Sequence, residues 1–210
     1  TANRFLCVTR ARRFGKSVAV KMLNAYYDKS CDSRDLFQGL AISKDKDFEK
    51  HLNRYPVLYL DMTDFVTKYG KDEHLVEYIK RDICEELMSL YEGVAMKPND
   101  DIMDLLVGIV AKTGEKFVCL IDEWDALCRE GMEKQMDEYV DLLRRLFKGS
   151  MTENVFACSY MTGILPIKRY NTQSALNNFD EYTMLSPAQL APYFGFTEQE
   201  VESLCADESM

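Results

Sequence analysis

Apolar positions along the chain fall into two kinds of run. Phe5-Leu6-Cys7-Val8-Thr9, Tyr55 to Asp61, Lys116 to Asp122 and Asn154 to Thr162 are short and nearly continuous, which predicts buried strands, with Tyr182 to Leu185 as a short fifth. Pro56 fits only at a strand start, because proline cannot donate to a sheet ladder. Other runs repeat at helical spacing. Val18, Met22, Leu23 and Tyr26 form one stripe; Leu75, Tyr78, Ile79, Ile83, Leu87 and Leu90 form another between His74 and Tyr91. Lys97-Pro98-Asn99-Asp100 breaks that pattern, Ile102 to Ala111 resumes it, and Gly114 stands where a left-handed cap is expected. Met132 to Phe147 predicts a further helix with Met136, Tyr139, Val140, Leu143 and Leu146 inward. Residues 28–35 read as a turn-rich loop, and Asp35 to Leu40 as a helical turn ending at Gly39. Beyond Pro187 come short helices, the last opening on the capping box Thr197-Glu198-Gln199-Glu200. Strands alternating with helices predict an α/β domain with a mostly parallel sheet.

Composition narrows the picture. The 210 residues suit one domain. The net charge of −9 is uneven: the first 24 residues hold six basic side chains and no acid, which leaves −15 on the remainder. A basic start on an acidic body predicts a local anion site and argues against direct nucleic-acid binding, which needs a basic face. The seven cysteines are widely spaced without a C-x-x-C, so a disulfide framework or zinc knuckle is not expected. Cys7, Cys119 and Cys158 lie in apolar runs, as free thiols do in a reducing, cytoplasmic setting. His51 and His74 lack the partners of a metal site, and no run is long enough to span a bilayer.

The chemistry concentrates at two strand ends. After the first strand comes Arg10-Ala11-Arg12-Arg13-Phe14-Gly15-Lys16-Ser17, then a helix. That is the layout of a P-loop, where backbone N–H groups and the helix dipole meet a phosphate. Lys16 would reach the β- and γ-phosphates, Ser17 would ligate Mg²⁺, and Gly15 would let the backbone approach. Arg12, Arg13, Phe14 and Val18 complete the candidate nucleotide contacts. Arg10, however, replaces the first glycine of G-x-x-x-x-G-K-[ST], and a basic surface loop before a helix fits the loop taken alone. The second strand end is Phe117-Val118-Cys119-Leu120-Ile121-Asp122-Glu123. In a P-loop NTPase such a strand is expected beside the loop's strand, with Asp122 holding Mg²⁺ and Glu123 polarising the attacking water. The two acids divide these roles only if the strand stops at Asp122. A solvated strand end before a helix cap is the alternative for this element alone.

Together the residues resemble the AAA-ATPase-like family of bacterial P-loop proteins. Arg10 to Ser17 is similar to its Arg-Pro-Arg-Arg-Phe-Gly-Lys-Ser, so Arg10 becomes a family feature, with Ala11 in place of proline. Leu36 to Ile42, Tyr55-Pro56-Val57 with Leu60-Asp61, Leu120 to Asp125, Thr162 to Ile167, Asn177-Asn178-Phe179 and Phe194 to Val201 resemble further family segments in order. The resemblance implies a three-layer α/β/α P-loop NTPase of the additional-strand type over residues 1–186, followed by the start of a helical segment at 187–210. It implies ATP and Mg²⁺ as ligands and places Thr162 as a polar sensor of the γ-phosphate. Many members carry a nuclease-like domain further along, so the chain reads as a fragment that lacks the segment before the first strand.

Asp125 reads as structural, positioning Trp124 or capping the next helix, and Trp124 as packing beside the site. Asp61 is a candidate for a supporting hydrogen bond. Of Arg10, Arg12 and Arg13 at least one is structural, since three cannot reach one triphosphate. Arg144 and Arg145 read as a solvated helix face rather than a trans-acting arginine finger. The leading function is Mg²⁺-dependent ATP hydrolysis, slow unless a partner or second copy supplies an arginine. A non-hydrolysing nucleotide switch and, with less room for an acceptor pocket and lid, a small-molecule or nucleotide kinase are the alternatives.

Overall fold

The structure, a computed structural model, describes residues 4–97, 100–167 and 176–207. Its strands are β1 (Phe5–Thr9), β2 (Val57–Asp61), β3 (Phe117–Asp122), β4 (Phe156–Gly163) and β5 (Asp180–Tyr182). They form one all-parallel sheet in the order β2-β3-β4-β1-β5, with Val8 opposite both Thr162 and Tyr182, and Asp61 opposite Asp122. The helices are α1 (Lys16–Tyr27), α2 (Phe48–His51), α3 (Met62–Tyr69), α4 (Leu75–Leu90), α5 (Ile102–Thr113), α6 (Ala126–Arg129), α7 (Glu133–Phe147), α8 (Thr152–Val155) and α9 (Glu198–Asp207).

The expectation that the acidic strand lies beside β1 is corrected. β4 stands between them, paired to β1 on one edge and β3 on the other. Most of its 8 residues are apolar or small, and its two polar side chains, Ser159 and Thr162, are buried too, which suits a central position covered on both sides. The inserted strand is the additional strand that the resemblance implied, and the fold is the α/β/α P-loop type.

Side-chain parity assigns the two faces. Phe5, Cys7, Leu58, Leu60, Phe117, Cys119, Ile121 and Met161 point into the larger core with residues of α4, α5 and α7. Val8, Val118, Leu120 and Tyr160 point the other way, onto Val20 of α1, with Tyr59, Leu190 and Phe194 packed around them. By the same alternation Asp61, Asp122 and Thr162, at the strand ends, fall on the α1 face. The stripe expected on α1 is rotated. Val18 is 62% exposed and Met22 44%, while Val20 is fully buried and Tyr26 nearly so. Val18, Met22 and Tyr26 drift around the helix at i, i+4 and i+8; Val20, Leu23 and Tyr27, at i, i+3 and i+7, stay over the sheet.

Boundary differences have local causes. Residues 152–155 form a helical turn before β4 rather than the strand start, and β5 pairs through Asp180–Tyr182 while Thr183 and Ser186 close a turn. Sequence periodicity assigned no helix to Met62–Tyr69. The chain passes directly from β2 into α3, and Asp61 caps it by accepting from the N–H groups of Thr63 (2.9 Å) and Asp64 (3.4 Å). Capping boxes at Asp101/Asp104 and Thr197/Glu200 open α5 and α9, and Gly114 closes α5 at φ 74°.

Asp82 on α4 ties α3 in place. Burial pushes its carboxyl up, but hydrogen bonds from Lys68, Tyr69 and Arg81 outweigh that and bring it down to about 2. The folded-state value lies below the ordinary 3.8, so the contribution is present above that range and is lost as pH falls through about 2. Because Lys68 and Arg81 are solvated, Asp82→Asn is expected to cost no more than about 1 kcal/mol at neutral pH. Urea denaturation of both proteins checks this; the gap between them should close at the acid end.

Candidate active site

The loop between β1 and α1 turns by two left-handed residues, Arg13 at φ 71° and Gly15 at φ 76°. Gly15 adopts this conformation without strain, whereas Arg13 does so at a cost that functional loops carry. Gly15 precedes the helix, and its carbonyl accepts from the Ala19 N–H at 2.9 Å. Lys16 is buried and folds back over the loop, Nζ donating to the Ala11 carbonyl at 3.2 Å. Arg12 and Arg13 stand exposed on the loop, Ser17 is half-buried, and the exposed Val18 lies on the open side of the first turn.

Across the sheet, β3 ends at Asp122 as the division of roles requires. Asp122 is fully buried on the face of α1. Burial raises its carboxyl above the ordinary range; the nearby Ser17 hydroxyl opposes this, while the charges of Asp61 and Glu123 add to it. Oδ1 accepts from the Glu123 N–H at 3.0 Å, and Oδ2 is left without a hydrogen bond. A buried carboxylate oxygen without a donor, close to a helix-start hydroxyl, is a donor set that fits a hard divalent cation. The described residues hold no cluster of three His, Cys, Asp or Glu side chains suited to a metal. A cation held by one hydroxyl and one carboxylate would complete its shell with phosphate oxygens and water.

Glu123 leaves the strand at φ 52°, a left-handed turn that frees its side chain from strand alternation. Its Oε1 lies 3.8 Å from Lys16 Nζ and its Oε2 2.5 Å from a terminal nitrogen of Arg129. The second contact is a charge contact rather than an aligned hydrogen bond, since Oε2 finds no donor in line. Sequence reading passed over Arg129; its spacing of six residues from Glu123 and four from Asp125 was the available signal.

The end of β4 joins these pieces. The Thr162 hydroxyl donates to the Val8 carbonyl at 2.8 Å, and the Thr162 carbonyl accepts from the Trp124 N–H at 2.9 Å. Asp125 is fully buried and accepts from the Ile164 N–H (3.2 Å) and the Leu165 N–H (2.9 Å). Trp124 is buried too, its indole N–H donating to the Leu165 carbonyl at 3.2 Å. Both side chains are structural, as the sequence suggested, though Asp125 anchors the segment after β4 rather than positioning the indole or capping α6 with its side chain.

A family model described as predicted AAA-ATPase matches residues 1–172, which hold every site residue named so far. The chain belongs to this AAA-ATPase-like family. No curated protein and no solved structure matches it. Membership points to nucleotide binding. No helix among the described residues is long and apolar enough to cross a membrane.

Within the family-matched region Arg10 is the structural arginine. It is buried, and one terminal nitrogen donates to the carbonyls of Thr9 (2.9 Å) and Tyr182 (2.8 Å). Its guanidinium lies 5.5 Å from the centre of the Phe194 ring, and the Phe14 ring lies against Gly195. Arg10 therefore fastens β1, β5 and the segment after Pro187 together where the usual P-loop has only a glycine. Arg144 and Arg145 pair with Asp141 and Asp101 on the outer face of α7, as a solvated helix face does.

Two substitutions test this framework. Gly163 has no room for a Cβ, which would sit 2.6 Å from Asp125 Oδ1 and 2.6 Å from Trp124 Cδ1. Gly163→Ala is expected to cost about 1–3 kcal/mol in chemical denaturation. Arg10→Gly, which restores the usual glycine, is expected to destabilise by about 2 kcal/mol through its lost charged hydrogen bonds. Its nucleotide affinity below the melting range should change by less than about 1 kcal/mol, read by isothermal titration.

Proposed function

We propose that this chain binds Mg·ATP at the β1–α1 loop and hydrolyses it. The observation that carries the reading is the orphaned Oδ2 of Asp122, buried on the sheet face that α1 covers, with the Ser17 hydroxyl near it at the start of that helix. In this reading the loop N–H groups and Lys16 bind the phosphates, with Arg12, Arg13, Phe14, Gly15 and Val18 around them. Ser17 and Asp122 hold Mg²⁺, which when bound offsets charge on the phosphate oxygens. Glu123 takes the proton of the attacking water as general base, and its carboxylate stands next to the Lys16 ammonium. Thr162 meets the γ-phosphate if its hydroxyl exchanges the Val8 carbonyl for a phosphate oxygen. Residues 187–207 form a segment that starts over the loop through Phe194 and Gly195.

Lys16→Ala is expected to abolish Mg·ATP binding in isothermal titration; unchanged affinity removes the loop as the site. Glu123→Gln should bind Mg·ATP and lose about 10²–10⁴-fold in phosphate release. Equal rates would leave a nucleotide switch without chemistry at this carboxylate. Asp122→Asn should lose the Mg²⁺ dependence of binding yet melt higher at neutral pH, by about 2–4 °C for each kcal/mol of desolvation relieved. The wild-type carboxyl is raised, so its penalty is full above that raised range and fades as pH falls and it takes up a proton. The melting gap between the two proteins should therefore narrow toward acid pH.

A further inference from the structure

Glu123 does not stand alone at the end of β3. Its backbone is fixed on both sides, by its own N–H on Asp122 Oδ1 and by its carbonyl, which accepts from the Ala126 N–H at 2.9 Å. The side chain beyond still has three rotatable bonds, and a general base must present one oxygen in one direction. Arg129 supplies the missing restraint. A terminal nitrogen lies 2.5 Å from Oε2 of Glu123, and Nε lies 3.5 Å from Oδ2 of Asp125. Asp125 is itself immobilised, fully buried and held by two backbone N–H groups after β4. The guanidinium therefore spans a fixed carboxylate and a mobile one. It engages Oε2 and leaves Oε1 turned toward Lys16, the side on which phosphates would lie.

We infer that Arg129 is a positioning residue for ATP hydrolysis, locking Glu123 through Oε2 so that Oε1 faces the attacking water. The inference rests on the reading of Glu123 as the base. Two features of the contact support it. Two different nitrogens of one planar guanidinium meet the two carboxylates, an arrangement that the single ammonium of lysine does not reproduce. The contact is also almost screened from solvent, with the Arg129 and Glu123 side chains 20% and 18% exposed, so its geometry is worth more than that of a surface pair. The restraint is intramolecular and comes from the first turn after β3, independently of any arginine a partner adds.

The test is a double-mutant cycle on steady-state phosphate release, with Mg·ATP affinity from isothermal titration and melting temperature measured for every variant. Arg129→Ala is expected to lower kcat about 10–100-fold, a part of what loss of the base itself removes, with affinity within about twofold of wild type. In the Glu123→Gln background the same change should cost nothing further, because there is no base left to orient. Arg129→Lys keeps the charge beside Asp125 and guards against misfolding of the alanine variant; it should fold like wild type and still lose most of the rate. Equal loss in both backgrounds, a matching loss of affinity, or full activity in Arg129→Lys would overturn the inference while leaving Glu123 as the base. A wild type that binds Mg·ATP without hydrolysing it, or a Glu123→Gln variant of equal rate, would overturn the base reading and the inference with it.

Discussion

The site depends on the carboxyl end of β4. That strand separates β1 from β3, so the distance between the loop and the acids is set through it. On one side Thr162 donates to Val8 and the Gly163 carbonyl accepts from the Arg10 N–H at 3.1 Å, which fixes where the loop begins. On the other, Thr162 receives Trp124, and Asp125 receives Ile164 and Leu165, which fixes where the acidic strand stops. Gly163 is bare because both neighbours close on it. Each of these bonds has a main-chain group on at least one side, which has no rotamer to adopt, so the site is placed rigidly.

Strain and uncompensated charge gather at the same edge. Arg13 and Glu123 hold left-handed conformations without being glycine, and Asp122 is buried with one oxygen unpaired. Each feature costs stability, and all three lie at the carboxyl-end edge of the sheet. The arginines divide the remaining work. Arg10 is buried as a fastener, Arg12 and Arg13 stay exposed on the loop, and Arg129 bridges the two acids after β3.

Much of this was legible because the signals are local. Apolar runs bounded by turns gave β1, β2 and β3 within two residues, and 3.6-residue spacing gave α4, α5 and α7. Lys16 and Ser17 could be set against Asp122 and Glu123 as candidates because the first pair opens the helix after one clear strand and the second pair ends another. Other features escaped. Alternate spacings on α1 are all compatible with a helix, so only the sheet beneath could choose Val20 over Val18. The helix at Met62 follows a strand without a loop, and its cap, Asp61, also looks like a site acid. Tyr182 belongs to β5, but the pairing edge shifts the strand toward Asp180, because Leu6 to Val8 rather than hydropathy selects its partners.

By itself the sequence determined the class of fold and marked the candidate loop and acids, since these rest on periodicity and on residue chemistry carried by short contiguous segments. Only the tertiary structure decided that β4 lies between the two chemical strands, that Arg10 turns inward to Tyr182, and that Arg129 reaches Glu123. Those are choices among contacts remote in sequence or open in rotamer. They are settled by which buried carbonyl or carboxylate still needs a donor once the sheet has formed.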